Sequence, residues 1–139
     1  MKRFVLDASV VLAWFVDRPT APYADSVRDL LLRGDRAIVP TLWQFEIANG
    51  FVISERRGLL TPSDITSALQ NLDIVIAQSI ENSQDPVSMR RSLHAARKFG
   101  LTAYDAVYLE TALGQDLPLA TLDRQLVAAA SKAGVEILS

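Results

Sequence analysis

Phe4-Val5-Leu6-Asp7-Ala8-Ser9-Val10-Val11-Leu12-Ala13-Trp14-Phe15-Val16 is the stretch on which the fold turns. Lys2 to Leu6, apolar from Phe4 onward, reads as a buried strand. Ser9 to Val16 reads as an apolar helix, ended by Asp17-Arg18-Pro19. A buried strand passing straight into an apolar helix is the opening of a βα unit, whose sheet is covered on both faces. Asp7 stands at the joint, the only charge between Arg3 and Asp17. An isolated carboxylate in such surroundings costs on the order of several kcal/mol unless a cation or strong donors compensate it.

The rest of the chain repeats this alternation. Thr20 to Arg33 carries Ala24, Val27, Leu30 and Leu31 at helical spacing and stops at Gly34. Ala37 to Pro40 reads as a strand and Thr41 to Arg57 as a long helix closed by Gly58. Thr61-Pro62-Ser63-Asp64 opens a helix over Ile65 to Leu72, and the β-branched Ile74-Val75-Ile76 reads as a strand. Asp85-Pro86 is expected to open a helix to Phe99-Gly100, and Thr102 another to about Gly114. A strand Leu117 to Ala120, a helix Arg124 to Ala133 and a closing strand Val135 to Leu138 follow. Five strands and about seven helices in this order predict an α/β fold, one domain over residues 1–139, with parallel strands and right-handed crossovers.

Composition narrows the chemistry. Half the residues are hydrophobic and 22% charged, and the longest apolar run, Val10 to Val16, is far below the roughly 20 residues of a membrane span, so a soluble, cytoplasmic protein without membrane contact is expected. Met1-Lys2-Arg3 and the apolar run after it resemble a signal peptide, but Asp7 and Asp17 interrupt that pattern. There is no cysteine and a single histidine, His94, so a metal would be held by oxygen ligands, which favour magnesium, manganese or calcium over zinc. The net charge of −2 argues against a broadly basic nucleic-acid coat.

Four carboxylates lie near expected strand ends or helix starts: Asp7, Glu46, Asp105 and Asp123. Ligands of parallel α/β sheets gather beyond the carboxyl ends of the strands. Asp7 follows the first strand and Asp123 the Leu117 to Ala120 strand, on the same edge, while Glu46 and Asp105 sit about one turn into helices that can face it. Each acid also has a structural explanation. Asp123 is a plausible N-cap for the last helix and Asp7 for the first, and Asp105 in Thr102-Ala103-Tyr104-Asp105 has the position of a capping-box acid. Glu46, among Leu42, Trp43, Phe45, Ile47 and Phe51, has the weakest such explanation. Gathered on one edge, like charges repel unless divalent cations hold them together. Ser9, Asn49, Thr102 and Thr121 flank the acids as supporting oxygen groups, or cap helices.

In these residues the chain resembles the PIN-domain ribonucleases, most closely the VapC-type toxins of toxin–antitoxin pairs. The matching stretches are Val5 to Ser9, Glu46 with Asn49, Thr102-Ala103-Tyr104-Asp105-Ala106-Val107-Tyr108-Leu109, and Thr121-Leu122-Asp123. The resemblance implies a three-layer α/β/α domain around a five-stranded parallel sheet, and a magnesium- or manganese-dependent endoribonuclease. It also implies a homodimer restrained by a small cognate antitoxin. Asp7 and Asp105 would be the most direct metal ligands, with Glu46 and Asp123 acting directly or through water. Two alternatives stand beside it. One is a catalytically silent PIN-like module that binds RNA or protein; the other is a magnesium-dependent phosphatase, which would want a second Asp where Ser9 stands.

RNA needs a positive approach. Arg90, Arg91, His94, Arg97 and Lys98 share a roughly 120° stripe of one helix, either a track for phosphates or a solvated face opposite a core stripe of Met89, Leu93, Ala96 and Phe99. Trp14, Phe15, Trp43 and Phe51 are candidates for an apolar groove that takes an antitoxin helix, or for core packing.

Overall fold

The structure, a computed structural model, describes residues 1–139. Its elements in chain order are β1 (Arg3–Leu6), α1 (Ala8–Val16), α2 (Pro22–Leu32), β2 (Arg36–Val39), α3 (Leu42–Arg56), α4 (Pro62–Ser79), β3 (Ile80–Asn82), α5 (Met89–Phe99), α6 (Ala103–Gln115), β4 (Leu119–Ala120) and α7 (Arg124–Ala133). The strands form one parallel sheet in the order β3-β2-β1-β4. Val5 pairs with both Ile38 of β2 and Leu119 of β4, so the apolar run of the opening stretch is the centre of the sheet. Phe4, Val5 and Leu6 have no exposed surface.

Winding explains where the helices go. From β1 the chain moves through β2 to β3, then returns past β1 to form β4 on its other side. With right-handed crossovers, the helices between β1 and β3 cover one face and those between β3 and β4 the other. The winding therefore reverses between β1 and β4, and the ends of those strands carry Asp7 and Asp123. No helix is long and apolar enough to cross a membrane.

The sheet has four strands rather than the five expected. The closing segment reduces to one parallel bridge, Leu119 to Ile137, because β4 itself is only two residues long and offers little edge to extend. The β-branched Ile74-Val75-Ile76 is helical, and the strand lies at Ile80–Asn82. Ala68, Leu72 and Ser79 are buried at helical spacing, and no glycine or proline interrupts the chain between Pro62 and Ser79, so the helix runs on through the run. The next helix begins at Met89 instead of Asp85: Ser88 caps it, accepting the Arg91 N–H at 3.2 Å. Its buried residues are Ser92 and Ala95; of the alternative core stripe, Phe99 packs partly buried against the core, while Met89 is 84% and Leu93 47% exposed. Small side chains there let α5 lie close to α6, where the Ser92 hydroxyl donates to the Ala103 carbonyl at 2.6 Å.

The first helix is anchored by its aromatic end. Trp14 is buried, and its indole N–H donates to the Ala24 carbonyl of α2 at 2.7 Å. Phe15 stacks edge-on to Phe51 of α3 at 5.9 Å. Gly50 of α3 faces Leu12, whose methyls would lie 2.5 Å from an added Cβ, so α1 and α3 meet at a position with room for hydrogen alone. Trp14→Phe removes the α1–α2 hydrogen bond while keeping an aromatic ring, and should lower the unfolding free energy by about 1–2 kcal/mol in urea denaturation.

Candidate active site

Asp7 ends β1 and occupies the N-cap position of α1, yet its side chain makes no cap bond. Its Oδ2 instead accepts two hydroxyls, from Ser9 and from Thr121, each at 2.7 Å. These hydroxyls in turn accept backbone N–H groups of the segment after β4: Ser9 Oγ from Leu122 at 3.0 Å and Thr121 Oγ1 from Asp123 at 3.0 Å. The carboxylate thus clasps the ends of the two strands between which the winding reverses. It is 4% exposed, and its Oδ1 has no side-chain partner. Burial raises the Asp7 pKa above the ordinary carboxylate range; the two hydroxyls lower it in part, and the charge of Asp123 raises it further.

Glu46 reaches the same edge from α3. Its Oε1 accepts the Tyr108 hydroxyl of α6 at 2.6 Å, a bond that joins helices from opposite faces across the top of the sheet. Burial raises the Glu46 pKa, the tyrosine hydroxyl lowers it, and the charges of Asp7 and Asp105 raise it again. Asp105 lies in the first turn of α6, half-buried, and is raised by burial and then by Asp123 and Asp7. Asp123 is the N-cap of α7, its Oδ1 accepting the N–H groups of Gln125 at 2.8 Å and Leu126 at 3.1 Å.

The four acids therefore share one field. Asp7 and Asp105 each feel Asp123, Glu46 and Asp105 each feel Asp7, and none takes part in any ion pair with lysine or arginine. An all-oxygen, anionic donor set of this kind suits magnesium or manganese. The spacing is open: no three acidic groups stand close enough to ligate a single ion as the side chains lie. Two of them are held elsewhere, Glu46 by Tyr108 and Asp123 by the first turn of α7, and uncompensated like charges separate.

The supporting residues divide. Ser9 and Thr121 hold Asp7 directly. Thr102 caps α6, accepting the Asp105 N–H at 3.1 Å, without the return bond that would complete a capping box. Asn49, one turn beyond Glu46, is exposed and its side chain makes no hydrogen bond. Tyr108 is the site residue that sequence reading passed over. It is fully buried, and burial and its bond to Glu46 raise its own pKa. Its position three residues after Asp105, on the same helical face, was the available signal, hidden because Ala106 to Leu109 reads as core.

The basic stripe also divides. Arg90, Arg97 and Lys98 are exposed and unpaired with acids, but Arg91 pairs with Glu110 of α6 at 3.3 Å and with Asp85 at 3.9 Å. Of the four aromatics, Trp14, Trp43 and Phe51 belong to the core, as core packing would have them, and Phe15 is partly buried against it. Trp43 and Phe51 line a cleft of about 160 Å³ between α3 and α4, where the Trp43 indole N–H is buried without a partner.

Comparison with known proteins agrees with this layout. Residues 4–132 match the family model of the PIN domain. Ribonuclease VapC3 of Pyrobaculum aerophilum is 29% identical over 124 residues, covering 89% of this chain and 92% of its own length. The crystal structure of PAE2754 from Pyrobaculum aerophilum superposes with a TM-score of 0.69 at 25% identity, over 92% of this chain and 84% of that one.

Thr121→Val keeps the shape but removes the hydroxyl that both donates to Asp7 and accepts from Asp123; a loss of about 1–3 kcal/mol in urea denaturation is expected. Asp7→Asn removes a buried negative charge that no cation balances. In EDTA at neutral pH it should melt at a higher temperature than the wild type by calorimetry.

Proposed function

The chain belongs to the PIN domain family, and from that premise we propose that it is a divalent-metal-dependent endoribonuclease, the toxin of a toxin–antitoxin pair. The observation that carries this reading is the mutual field of Asp7, Glu46, Asp105 and Asp123 at the winding reversal, with no protein cation to neutralise it. A relative that carries the name ribonuclease, aligned over nearly its whole length, supports it. Magnesium or manganese, held first by Asp7 and Asp105 with Glu46 and Asp123 directly or through water, would supply Lewis-acid activation of water at a phosphodiester when bound.

The chain's own groups prepare that site. Ser9 and Thr121 fix the Asp7 carboxylate and leave Oδ1 for a ligand; Tyr108 sets the direction of Glu46. Asp123 presents its remaining oxygen, because the first turn of α7 holds the other. His94, the single histidine, is exposed on α5, outside the stretches that carry the acids, and the proposal gives the activation of water to the metal rather than to an imidazole. Hydrolysis is expected to leave a 3′-hydroxyl and a 5′-phosphate. Arg90, Arg97 and Lys98 form the approach surface for RNA. The antitoxin seats an apolar helix along the α3–α4 cleft, against the exposed Leu69 rather than the buried Trp43 and Phe51, and a second copy completes a homodimer.

A catalytically silent PIN-like module is the reading favoured by the open spacing of the acids. The two part on one assay. With magnesium or manganese, the wild type should cleave single-stranded RNA, and Asp7→Asn and Asp105→Asn should lose roughly a hundredfold or more of that activity. Added metal should raise the melting temperature of the wild type and not of the variants. Undiminished cleavage by folded Asp7→Asn would falsify the proposal. Arg90→Ala with Arg97→Ala should weaken RNA binding and reduce its salt dependence by about one unit of slope per lost phosphate contact. Arg91→Ala should instead lower stability and leave that slope unchanged.

A further inference from the structure

Each oxygen of a carboxylate accepts at about two positions, so an acid can offer a cation only what protein donors leave open. In this site the donors are unevenly shared. Asp7 Oδ2 accepts two hydroxyls, and Asp123 Oδ1 accepts two backbone N–H groups, which fills both oxygens. Each of these acids therefore has one oxygen left. Glu46 differs, because its Oε1 accepts a single donor, the Tyr108 hydroxyl at 2.6 Å. The open oxygens are reachable: the buried side-chain atoms that lack a partner are Trp43 Nε1 and Glu81 Oε2, so Asp7 Oδ1, Asp123 Oδ2 and Glu46 Oε2 all keep contact with solvent.

Whether Glu46 can use one oxygen or two is thus decided by one side chain. The Tyr108 ring is fully buried and cannot follow Glu46 if that carboxylate turns. Its hydroxyl has one proton, given to Glu46 in a bond of the short, charge-assisted kind. Bringing Oε1 round to share a cation with Oε2 would strip that proton of its acceptor at a buried position, a cost that falls on chelation by both oxygens and not on binding through Oε2 alone. No comparable choice exists at Asp7 or Asp123, whose engaged oxygens are filled twice and belong to the strand ends and to the cap of α7.

Cations differ in what they ask of a carboxylate. Calcium takes roughly six to eight oxygens and often grips both oxygens of one carboxylate, whereas magnesium keeps several waters and binds through one or two acids. An acidic cluster without restraints has no reason to refuse calcium. We infer that Tyr108 is a positioning residue that confines Glu46 to its Oε2 and thereby sets the site against calcium in favour of magnesium or manganese. The existence of the metal site rests on the nuclease reading; the role of Tyr108 in it rests on the bond to Glu46.

Calorimetric titrations and thermal melts of the chelator-treated protein with magnesium, manganese and calcium, at one pH, test this role. The wild type should be stabilised by magnesium and manganese and much less by calcium at equal concentration. Tyr108→Phe keeps the ring and the net charge, and should raise the ratio of calcium to magnesium affinity about tenfold. In a Glu46→Gln background the same substitution should leave that ratio unchanged, since Tyr108 acts through Glu46. Circular dichroism checks the fold of each variant, and the wild-type calcium melt decides whether or not they fold. Calcium as stabilising as magnesium in the wild type, an unchanged ratio or equal gains for all three cations in Tyr108→Phe, or a change in the ratio that survives Glu46→Gln, overturns the inference and leaves the nuclease reading intact. No response of the wild type to any of the cations removes the metal site itself, and this inference with it.

Discussion

The carboxylate of Asp7, buried at the end of the central strand and held by two hydroxyls, is the constraint around which the rest is arranged. A charge in that place is tolerable only with dense compensation. Ser9 supplies one hydroxyl from the next helix, and Thr121 supplies the other from a segment more than a hundred residues away in sequence. The same hydroxyls accept backbone N–H groups of the segment after β4, so satisfying the charge also locks the two strand ends together. The site and the closure of the sheet share one network of hydrogen bonds.

Topology gives that network its use. The winding reverses between β1 and β4, which opens a crevice where helices from both faces approach the same edge. The Tyr108–Glu46 bond crosses that edge and brings a third acid into the field of Asp7. Repulsion among these acids is a free-energy cost in the protein alone, and under the proposed function it would become a source of affinity for a divalent cation. A site of this kind is expected to sacrifice stability for function, as buried charge elsewhere in a core would not be retained.

The segment between β3 and α6 links the site to its surroundings. Arg91, Glu110 and Asp85 tie the start of α5 and the loop before it to α6, and Gly114 leaves room for that ion-pair cluster to lie flat on the helix. Arg91 is thereby structural, while Arg90, Arg97 and Lys98 remain free on the outer face. Met89 and Leu93, exposed on the same helix, follow from the choice of small residues for the buried side, which lets α5 approach α6 closely.

Sequence by itself determined the parallel α/β class, the seven helices and the central strand, and it singled out four acids that act on one another in the fold, since each rests on local signals: apolar runs, caps and a charge with no neighbouring partner. It misplaced what local signals do not govern. Ile74 to Ile76 has strand-forming side chains, but the helical spacing of Ala68, Leu72 and Ser79 against the core overrides them. Val135 to Leu138 reads as a strand, yet a strand exists only by pairing, and the two-residue β4 allows a single bridge. Only the tertiary structure decided that Asp7 is clasped by Thr121, that Tyr108 directs Glu46, and that Arg91 is bound to acids rather than free. These are contacts between distant segments, and no periodicity within one segment encodes which side chain of another will meet it.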